Sequence, residues 1–506
     1  MVEFARYFIE FLKTFWNNLV LFFGTIGKAI GKFFGKDIAD AIVLFFTSAN
    51  DFNFLDWLIA IFVWIINIAF VVFLVIWLYQ IISKYFKFRK REIEKDELVE
   101  EIATLSQQNL ILTNEKNEIL KLKMETFGMN SELLMGEEKQ RKRKDSRFTK
   151  LTAVDEKYDN QPLVTNMIPV DMLSLKELVN TFINFSANKL KLYYSHNIVR
   201  NFFAGMGSSQ IIILEGISGT GKTSLPYAMG QFFTNPTPII PVQPSWRDRS
   251  EMIGYLNEFT KKFNESDFLK ELYEVNYRDD INFIVLDEMN LARIEYYFAD
   301  FLSVMEMPDK DDWKIDIVPS SEKEDPVNVV EGKITVPQNV WFVGTANKDD
   351  STFTISDKVY DRATSIEMDT KAAVFEAPET ESIKMSYNYI IQLFEKAKKE
   401  YPLSEKNKEN IEKLDEFITR YFKITFGNRI TRQINHFVPV YVAAGGTELE
   451  AIDYIVTRKI FRKFESLNLP FLQDELEGLM RFLDKVFGKN AFKEGLAYVE
   501  RLKRFS

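Results

Sequence analysis

The sequence predicts an α/β fold. A parallel β-sheet flanked by helices is followed by a mostly helical C-terminal region and preceded by a membrane helix and a coiled coil. Apolar runs beginning at Ile211, Ile281 and Val340 are short and end in glycine or polar residues, which is typical of buried parallel strands. A long uncharged stretch begins at Trp57. A heptad-like spacing of apolar residues follows it, starting at Leu98.

Composition limits the kinds of protein that this chain can be. Its 506 residues are enough for two or three domains. The net charge of −9 argues against a protein that coats nucleic acid. The chain has no cysteine, so disulfides, thiol catalysis and cysteine-bound zinc are excluded. Its two histidines, His196 and His436, argue against a histidine metal site.

The uncharged stretch predicts a transmembrane helix at residues 54–83. No charged side chain occurs from Trp57 to Ser83, and a bilayer core needs about 20 apolar residues in a helix. Basic residues from Lys84 to Arg91 follow, so the positive-inside rule places the C-terminal side of this single-pass chain in the cytoplasm. Residues 1–53 fit an amphipathic interfacial helix, a hairpin that partly enters the membrane, or a soluble helical cap.

A coiled-coil stalk is predicted at residues 92–125. Apolar residues follow alternating steps of four and three, at Leu98, Ile102, Leu105, Leu112 and Ile119. Asn109 and Lys116 fill the intervening core positions, and a core Asn typically fixes register. A single amphipathic helix is the alternative. Residues 126–165 are predicted to be a linker. Its basic run from Lys139 to Lys144 is expected to be solvated, and the alternatives are contact with anionic lipid headgroups or with nucleic acid.

The run at Ile211 leads into a phosphate-binding loop, Gly216-Ile-Ser-Gly-Thr-Gly221-Lys222-Thr223. It matches the pattern G-x-x-x-x-G-K-[ST] between a strand and a helix. The glycines let backbone N–H groups surround the phosphates of a nucleoside triphosphate, and Lys222 reaches the β- and γ-phosphates. The predicted nucleotide-binding residues are Gly216, Gly219, Thr220, Gly221, Lys222, Thr223 and Ser224.

The two later apolar runs supply the predicted hydrolytic residues. The second run is followed by Asp287 and Glu288. Thr223 and Asp287 are predicted to hold Mg²⁺, and Glu288 to polarise the attacking water. The third run leads to Asn347, which we expect to touch the γ-phosphate or the water.

Arginines further along the chain are candidate catalytic residues. Arg362 is a candidate arginine finger that acts on the nucleotide of a neighbouring subunit. Arg429 and Arg432 lie in the C-terminal region. We expect one of them, taken as Arg429, to sense the γ-phosphate from a lid domain. For each arginine the alternative is an ordinary salt bridge.

Together these residues resemble an AAA+ ATPase, and three longer segments are similar to its McrB-like, dynein-related branch. These segments run from Val242 to Tyr255, from Asp287 to Phe298 and from Gly344 to Asp350. The resemblance spans about Leu173 to Phe464. It implies an AAA+ nucleotide-binding core at residues 166–385, with a helical lid and C-terminal region at residues 386–506.

The resemblance also implies a function. It implies a ring, usually a hexamer, that hydrolyses ATP or GTP with Mg²⁺ at its subunit interfaces. It further implies a partner nuclease or McrC-like activator in bacterial defence against phage, here anchored in the inner membrane. Two departures matter. The restriction GTPase loop Met-Asn-Thr-Ala-Asp-Arg is replaced by Val343-Gly-Thr-Ala-Asn-Lys348, which slightly favours ATP. The anchor and stalk replace the usual DNA-reading domain, so direct nucleic-acid binding stays open.

Two other functions are compatible with the sequence. A membrane-tethered chaperone, similar to MoxR-type ATPases, would remodel protein complexes. A non-catalytic scaffold would use nucleotide only for assembly, but the intact Glu288 favours hydrolysis. Outside the nucleotide site no convincing nuclease cluster occurs, so any cutting requires a partner.

Overall fold

A computed structural model describes residues 146–159, 161–348 and 352–504, with isolated positions between residues 25 and 57. Apart from those isolated positions, the predicted interfacial segment, transmembrane helix and coiled coil lie outside the described residues. Within the described part of the chain, no helix is both long and apolar enough to cross a membrane. The chain divides into two units, Met1–Asn130 and Ser131–Ser506, and every element below belongs to the second.

The strands of this unit are numbered in chain order. They are β1 (Ile211–Gly216), β2 (Ile239–Pro241), β3 (Gly254–Asn257), β4 (Lys262–Glu265), β5 (Asn282–Asp287), β6 (Lys314–Asp316), β7 (Lys333–Thr335), β8 (Val340–Asn347) and β9 (Thr364–Glu367).

The helices are numbered in the same way. They are α1 (Thr149–Tyr158), α2 (Leu175–Lys189), α3 (His196–Ser208), α4 (Ser224–Phe232), α5 (Arg249–Ile253), α6 (Asp267–Val275), α7 (Ile294–Tyr297), α8 (Ala299–Val304), α9 (Asp357–Tyr360), α10 (Tyr387–Glu400), α11 (Glu405–Phe422), α12 (Gly427–Ala443), α13 (Glu448–Lys459), α14 (Gln473–Phe487) and α15 (Lys493–Arg504).

Five strands form a parallel sheet in the order β2-β5-β8-β1-β9. β1 lies between β8 and β9 and is buried along its whole length. A strand covered on both faces needs such a continuous apolar run, which confirms the predicted parallel sheet. In open sheets of this kind, ligands bind beyond the carboxyl ends of the strands.

The register of the sheet brings three strand ends together. Gly216, the last residue of β1, pairs with Asn347, the last residue of β8. On the other side of β8, Leu286 pairs with Gly344, so Asp287 at the end of β5 lies at the same edge. The phosphate-binding loop, the acidic pair and the predicted polar tip residue therefore share one edge of the sheet.

Alternate residues of β1 face two hydrophobic cores, as the two-residue period of a strand requires. Ile212 and Leu214 pack into the core that α2, α3 and α4 share with the C-terminal helices. Ile211 and Ile213 pack into the core on the other face, which α1 and α6 cover. The sheet is thus the middle layer between two groups of helices.

Two antiparallel hairpins interrupt the alternation of strands and helices. β3–β4 lies between β2 and β5 in the chain, and β6–β7 lies between β5 and β8. Gly254 opens β3 with φ +106°, and a Cβ there would lie 2.0 Å from the carbonyl oxygen of Asn264. Only glycine fits that approach. At the tip of this hairpin, the side chain of Phe259 is 99% exposed.

The C-terminal region is helical, as predicted, and comprises α10 to α15. Serine or threonine side chains cap α10, α11 and α13 by accepting hydrogen bonds from first-turn N–H groups. α12 packs on α3, where Phe437 and Val440 are fully buried. The helical region is therefore tied to the helix that leads into β1.

The predicted linker at 126–165 is wrong for part of its length, because α1 lies within it and belongs to the core. Phe148, Leu151 and Val154 are buried. Both carboxylate oxygens of Glu265, at the end of β4, accept hydrogen bonds from the first N–H groups of α1 at 2.7–2.8 Å. These three apolar residues stand among many polar ones, so the helical periodicity of this segment is too weak to predict α1 from the sequence.

Candidate nucleotide site

The loop after β1 is shaped by its glycines. Gly216, Gly219 and Gly221 have φ of +144°, +80° and +93°, values that residues with a side chain rarely adopt. At Gly216 a Cβ would also lie 2.6 Å from the Oδ1 atom of Asp369 and 2.7 Å from the carbonyl oxygen of Met368. A cradle of backbone N–H groups requires such turns, and it leads directly into the N-terminus of α4.

Lys222 is held inside this loop. Its side chain is mostly buried, and its Nζ donates hydrogen bonds to the carbonyl oxygens of Gly216 at 3.0 Å and Ile217 at 2.8 Å. The ammonium group is thus the positive charge at the centre of the loop, where the phosphates of a bound nucleotide would lie.

Thr223 connects the loop to the end of β5. Its Oγ1 donates a hydrogen bond to Oδ1 of Asp287 at 2.7 Å. The hydroxyl of Thr345, in β8, donates to the same oxygen at 2.8 Å. Two strands and the loop thus meet at one carboxylate. Thr345 was given no role from the sequence, although it lies in the motif segment after Val343.

Glu288 has a strained backbone. Its φ of +52° and ψ of +47° place it in the left-handed region, which is uncommon for a residue with a side chain and is often found at functional sites. The backbone N–H of Glu288 donates a hydrogen bond to the Thr345 hydroxyl at 2.8 Å. Its exposed carboxylate lies 3.5 Å from Nδ2 of Asn347. The sharp turn after Asp287 directs this carboxylate toward the tip of β8.

Asn290 fixes the position of Asn347, and sequence reasoning missed it. Asn290 is buried. Its Nδ2 donates to the carbonyl oxygen of Asn347 at 2.8 Å, and its Oδ1 accepts from the N–H of Asn347 at 3.3 Å. The only signal in the sequence is its place two residues after Glu288 in the extended motif.

These residues fit a Mg²⁺–triphosphate complex. Among the described residues, no group of three or more histidine or acidic side chains is placed to hold a metal ion alone. Mg²⁺ in nucleotide sites typically takes one or two protein ligands and completes its shell with phosphates and waters. The Thr223–Asp287 pair beside a glycine-lined phosphate loop is an arrangement of that type.

Arg362 lies at the opposite end of the sheet from the loop. Its carbonyl oxygen accepts a hydrogen bond from Ser209, just ahead of β1, at 2.7 Å. The six residues of β1 span roughly 20 Å between that point and Gly216. The guanidinium donates to the carbonyl oxygens of Leu302 and Lys358 and to Glu306.

Arg429, expected to sense a γ-phosphate from a lid domain, lies beside Arg362 and away from the phosphate loop of its own chain. Both arginines form ion pairs with the carboxylate of Glu306. One turn further along α12, Gln433 donates a hydrogen bond to the carbonyl oxygen of Asp361. The packing of α12 thus fixes its first turn at the end of the sheet that lies away from the phosphate loop.

Other arginines of the C-terminal helices lie on the loop side, and the sequence did not single them out. A cavity of about 850 Å³ opens beside the loop. It is lined by Gly216, Ile217, Ser218, Asn290, Asn347, Arg458, Arg462 and Arg501, among others. Burial tends to raise the pKa of Glu367 on β9, but Arg458 and Lys348 outweigh it and hold that pKa at about 2. This carboxylate links the residue after Asn347 to the C-terminal helices.

Tyr194 packs against the loop from the side of α3. Its ring lies 3.7 Å from the position that a Cβ on Gly221 would take and 6.0 Å, between ring centroids, from Phe182. Its hydroxyl is buried and has no hydrogen-bond partner among the described residues. Burial raises the pKa of this hydroxyl, so it stays protonated and able to donate.

The similarity of this chain to known proteins is distant. No family model matches the chain, and no curated protein matches it. Solved structures that match include a protein described as a candidate ATPase from Cytophaga hutchinsonii. It is 14% identical, with coverage of 70% of this chain and 98% of that chain and a TM-score of 0.40. In this chain itself, the five-stranded parallel sheet with its helical C-terminal region fits the α/β core of an AAA+ protein.

Proposed function

We propose that this chain is a Mg²⁺-dependent nucleoside triphosphatase of the AAA+ type. The hydrogen bond between Thr223 and Asp287 supports this proposal most directly. It places the loop hydroxyl beside the carboxylate at the end of β5, and these are the two groups that hold Mg²⁺ in phosphate-loop nucleoside triphosphatases. Glu288 follows at once and faces Asn347.

Each residue of the site has a chemical task. The backbone N–H groups of the loop and the start of α4 surround the phosphates, and Lys222 neutralises their charge. Thr223 and Asp287 would hold Mg²⁺, which would shield the negative charge that develops on the phosphate oxygens. Glu288 accepts a hydrogen bond from the attacking water and so polarises it, and Asn347 orients that water or the γ-phosphate.

We infer that the enzyme works as a ring, in which Arg362 and Arg429 serve a neighbouring subunit. Both lie at the end of the sheet away from their own loop, roughly 20 Å from it along β1. An arginine supplied by a neighbour stabilises the charge of phosphoryl transfer and commonly accelerates hydrolysis by about 10³-fold or more. A hexamer is the expected assembly.

The biological setting that we propose is a membrane-anchored, McrB-like motor. The segments after β2, after β5 and at the end of β8 carry the resemblance, and the proposed transmembrane helix at 54–83, uncharged from Trp57 to Ser83, supplies the anchor. A partner nuclease or McrC-like activator would then perform the defence function. ATP is the proposed substrate, with GTP as the alternative.

Steady-state hydrolysis by the purified full-length protein tests the enzymatic proposal. ATP and GTP are compared at saturating Mg²⁺ for the wild type and for Lys222→Ala. Lys406→Ala, an exposed lysine of α11, is the matched control. We expect hydrolysis by the wild type and the control and none by Lys222→Ala. Equal hydrolysis by all three proteins, or by none, contradicts the proposal.

The partner is tested separately. The product of a neighbouring gene is added to the purified protein, and hydrolysis and nuclease activity are measured. Stimulation of hydrolysis together with nucleotide-dependent cutting supports the restriction role. Stimulation by an unfolded or assembled protein substrate, without any cutting, supports the chaperone instead.

A further inference from the structure

Glu306 bridges two arginines that come from different parts of the fold. It follows α8, and its Oε2 lies 2.7 Å from a terminal nitrogen of Arg362, just ahead of β9. Its Oε1 pairs with a terminal nitrogen of Arg429, in the first turn of α12. One carboxylate therefore connects the sheet to the C-terminal helical region.

The charges around this bridge explain what the carboxylate does. The side chains of Arg362, Glu306 and Arg429 are 15%, 29% and 37% exposed, so solvent screens them only partly. Two guanidinium groups so close repel each other unless an anion lies between them. Lys310, Lys398 and Arg432 line the same cavity of about 390 Å³ and add to the positive potential.

The two arginines depend on Glu306 to different degrees. Arg362 is also held by the carbonyl oxygens of Leu302 and Lys358, so its place is fixed by the backbone. Arg429 is the more exposed of the two, and its ion pair with Glu306 is the contact that ties its guanidinium to the sheet.

We propose that Glu306 is a positioning residue that holds Arg429 beside Arg362, so that the pair meets a phosphoryl group bound by the neighbouring subunit. This inference rests on the proposed function. Glu306 acts through the arginines and contacts no phosphate itself. Without its charge, Arg362 keeps its place and Arg429 moves away.

Hydrolysis by assembled full-length protein tests this order of dependence. We expect Glu306→Gln to lower kcat roughly 10-fold or more, while the nucleotide KM, set at the far end of the sheet, stays unchanged. In the Glu306→Gln background, Arg429→Ala should lower kcat only a little further. Arg362→Ala should lower kcat in that background by the same factor as in the wild type. Glu395→Gln, which removes a carboxylate paired with Lys398 in the same cavity, is the matched control and should behave like the wild type.

A second measurement avoids nucleotide altogether. Thermal unfolding of the nucleotide-free protein is compared for Glu306→Gln, Arg429→Gln and the double variant. We expect the two single changes to be non-additive, as residues in direct contact are. Glu306→Asp, which keeps the charge, should restore part of kcat; an ordinary packing role would not distinguish Asp from Gln in this way.

The outcomes separate this inference from the proposed function. Wild-type protein that hydrolyses no nucleotide contradicts both. An active wild type whose Glu306→Gln variant is equally active, or faster, contradicts the positioning role alone. Additive unfolding of Glu306→Gln and Arg429→Gln contradicts it as well, whatever the activity.

Discussion

The hydroxyl of Thr223 donates a hydrogen bond to the carboxylate of Asp287 across 2.7 Å. The two residues are separated in the chain by α4, β2, α5, the β3–β4 hairpin and α6. Their meeting depends on the parallel register of β1, β8 and β5, which ends all three strands at one edge. Glu288 and Asn347 take their positions from the same register.

Glu288→Gln should bind triphosphate and fail to hydrolyse it. The change keeps the shape of the side chain and removes the charge that activates water, so we expect hydrolysis to fall by about 100-fold or more. Bound nucleotide is identified by chromatography after the protein is denatured. Glu251→Gln, an exposed carboxylate of α5, is the control. Normal turnover by purified Glu288→Gln would disprove the assigned mechanism.

Arg429→Ala and Arg362→Ala should each bind nucleotide normally and hydrolyse it slowly, because both act on another subunit. Mixing either variant with Glu288→Gln should therefore restore activity. In the mixed ring, an intact Glu288 in one subunit meets an intact arginine in its neighbour. Hydrolysis is measured as the ratio of the two proteins is varied. A mixture no more active than its components would show that the arginines act within their own chain.

Tyr194→Phe should stabilise the nucleotide-free protein. A buried hydroxyl without a partner costs about 1–3 kcal/mol, and the variant removes only that oxygen from a side chain that is otherwise packed. We expect the free energy of unfolding to rise by about 1 kcal/mol, measured with urea. Tyr193→Phe, on the neighbouring and more exposed residue, should leave it unchanged. Lower stability of Tyr194→Phe would mean that the hydroxyl has a partner.

Phe148→Ala should destabilise the sheet unit, because α1 is part of its core. Phe148 is fully buried, and its ring centroid lies 4.9 Å from that of Phe263. Truncation of a buried phenylalanine commonly costs about 3–5 kcal/mol. Thr149→Ala, at an exposed position of the same helix, is the control. If both variants unfold at the same urea concentration, α1 is not part of the cooperative unit.

His436 should make the protein less stable at acid pH. Burial, and then the charge of Lys398, lower the pKa of this imidazole to about 4. A lowered pKa means that the folded protein binds fewer protons than the unfolded chain. The stability contributed by keeping this imidazole neutral is therefore fully present above about pH 6.5 and is lost as the pH falls toward 4. His436→Gln should show a shallower loss in that window. The chain has only two histidines, so NMR can follow the imidazole directly; a midpoint near 6.5 would contradict the assignment.

The sequence predicted three of the five sheet strands, β1, β5 and β8, and the loop residues, because their signals are local. Each apolar run ends where the structure ends a strand or within a few residues of it, and Gly216, Gly219 and Gly221 have the positive φ that their motif requires. β8 continues to Asn347, beyond the apolar run, because its last residues pair with β1 and are buried by the sheet.

Residues that depend on tertiary contacts escaped sequence reasoning. Asn290 looks like an ordinary polar residue until Asn347 is beside it. The place of Arg429 in the chain suggested that it senses a γ-phosphate from a lid domain. The end of the sheet at which it lies is determined by how α12 packs on α3. The role of α1 was missed because Glu265, which caps it, is more than 100 residues away.

The attachment of α1 also determines how the unit bears mechanical load. Arg147 is anchored by Asp325 between β6 and β7, and Phe148 packs on Phe263 in β4. Tension applied to the chain ahead of residue 146 is therefore transmitted first to the two hairpins and the sheet. The C-terminal helices lie off this path, because they pack on α3 and on the other face of the sheet.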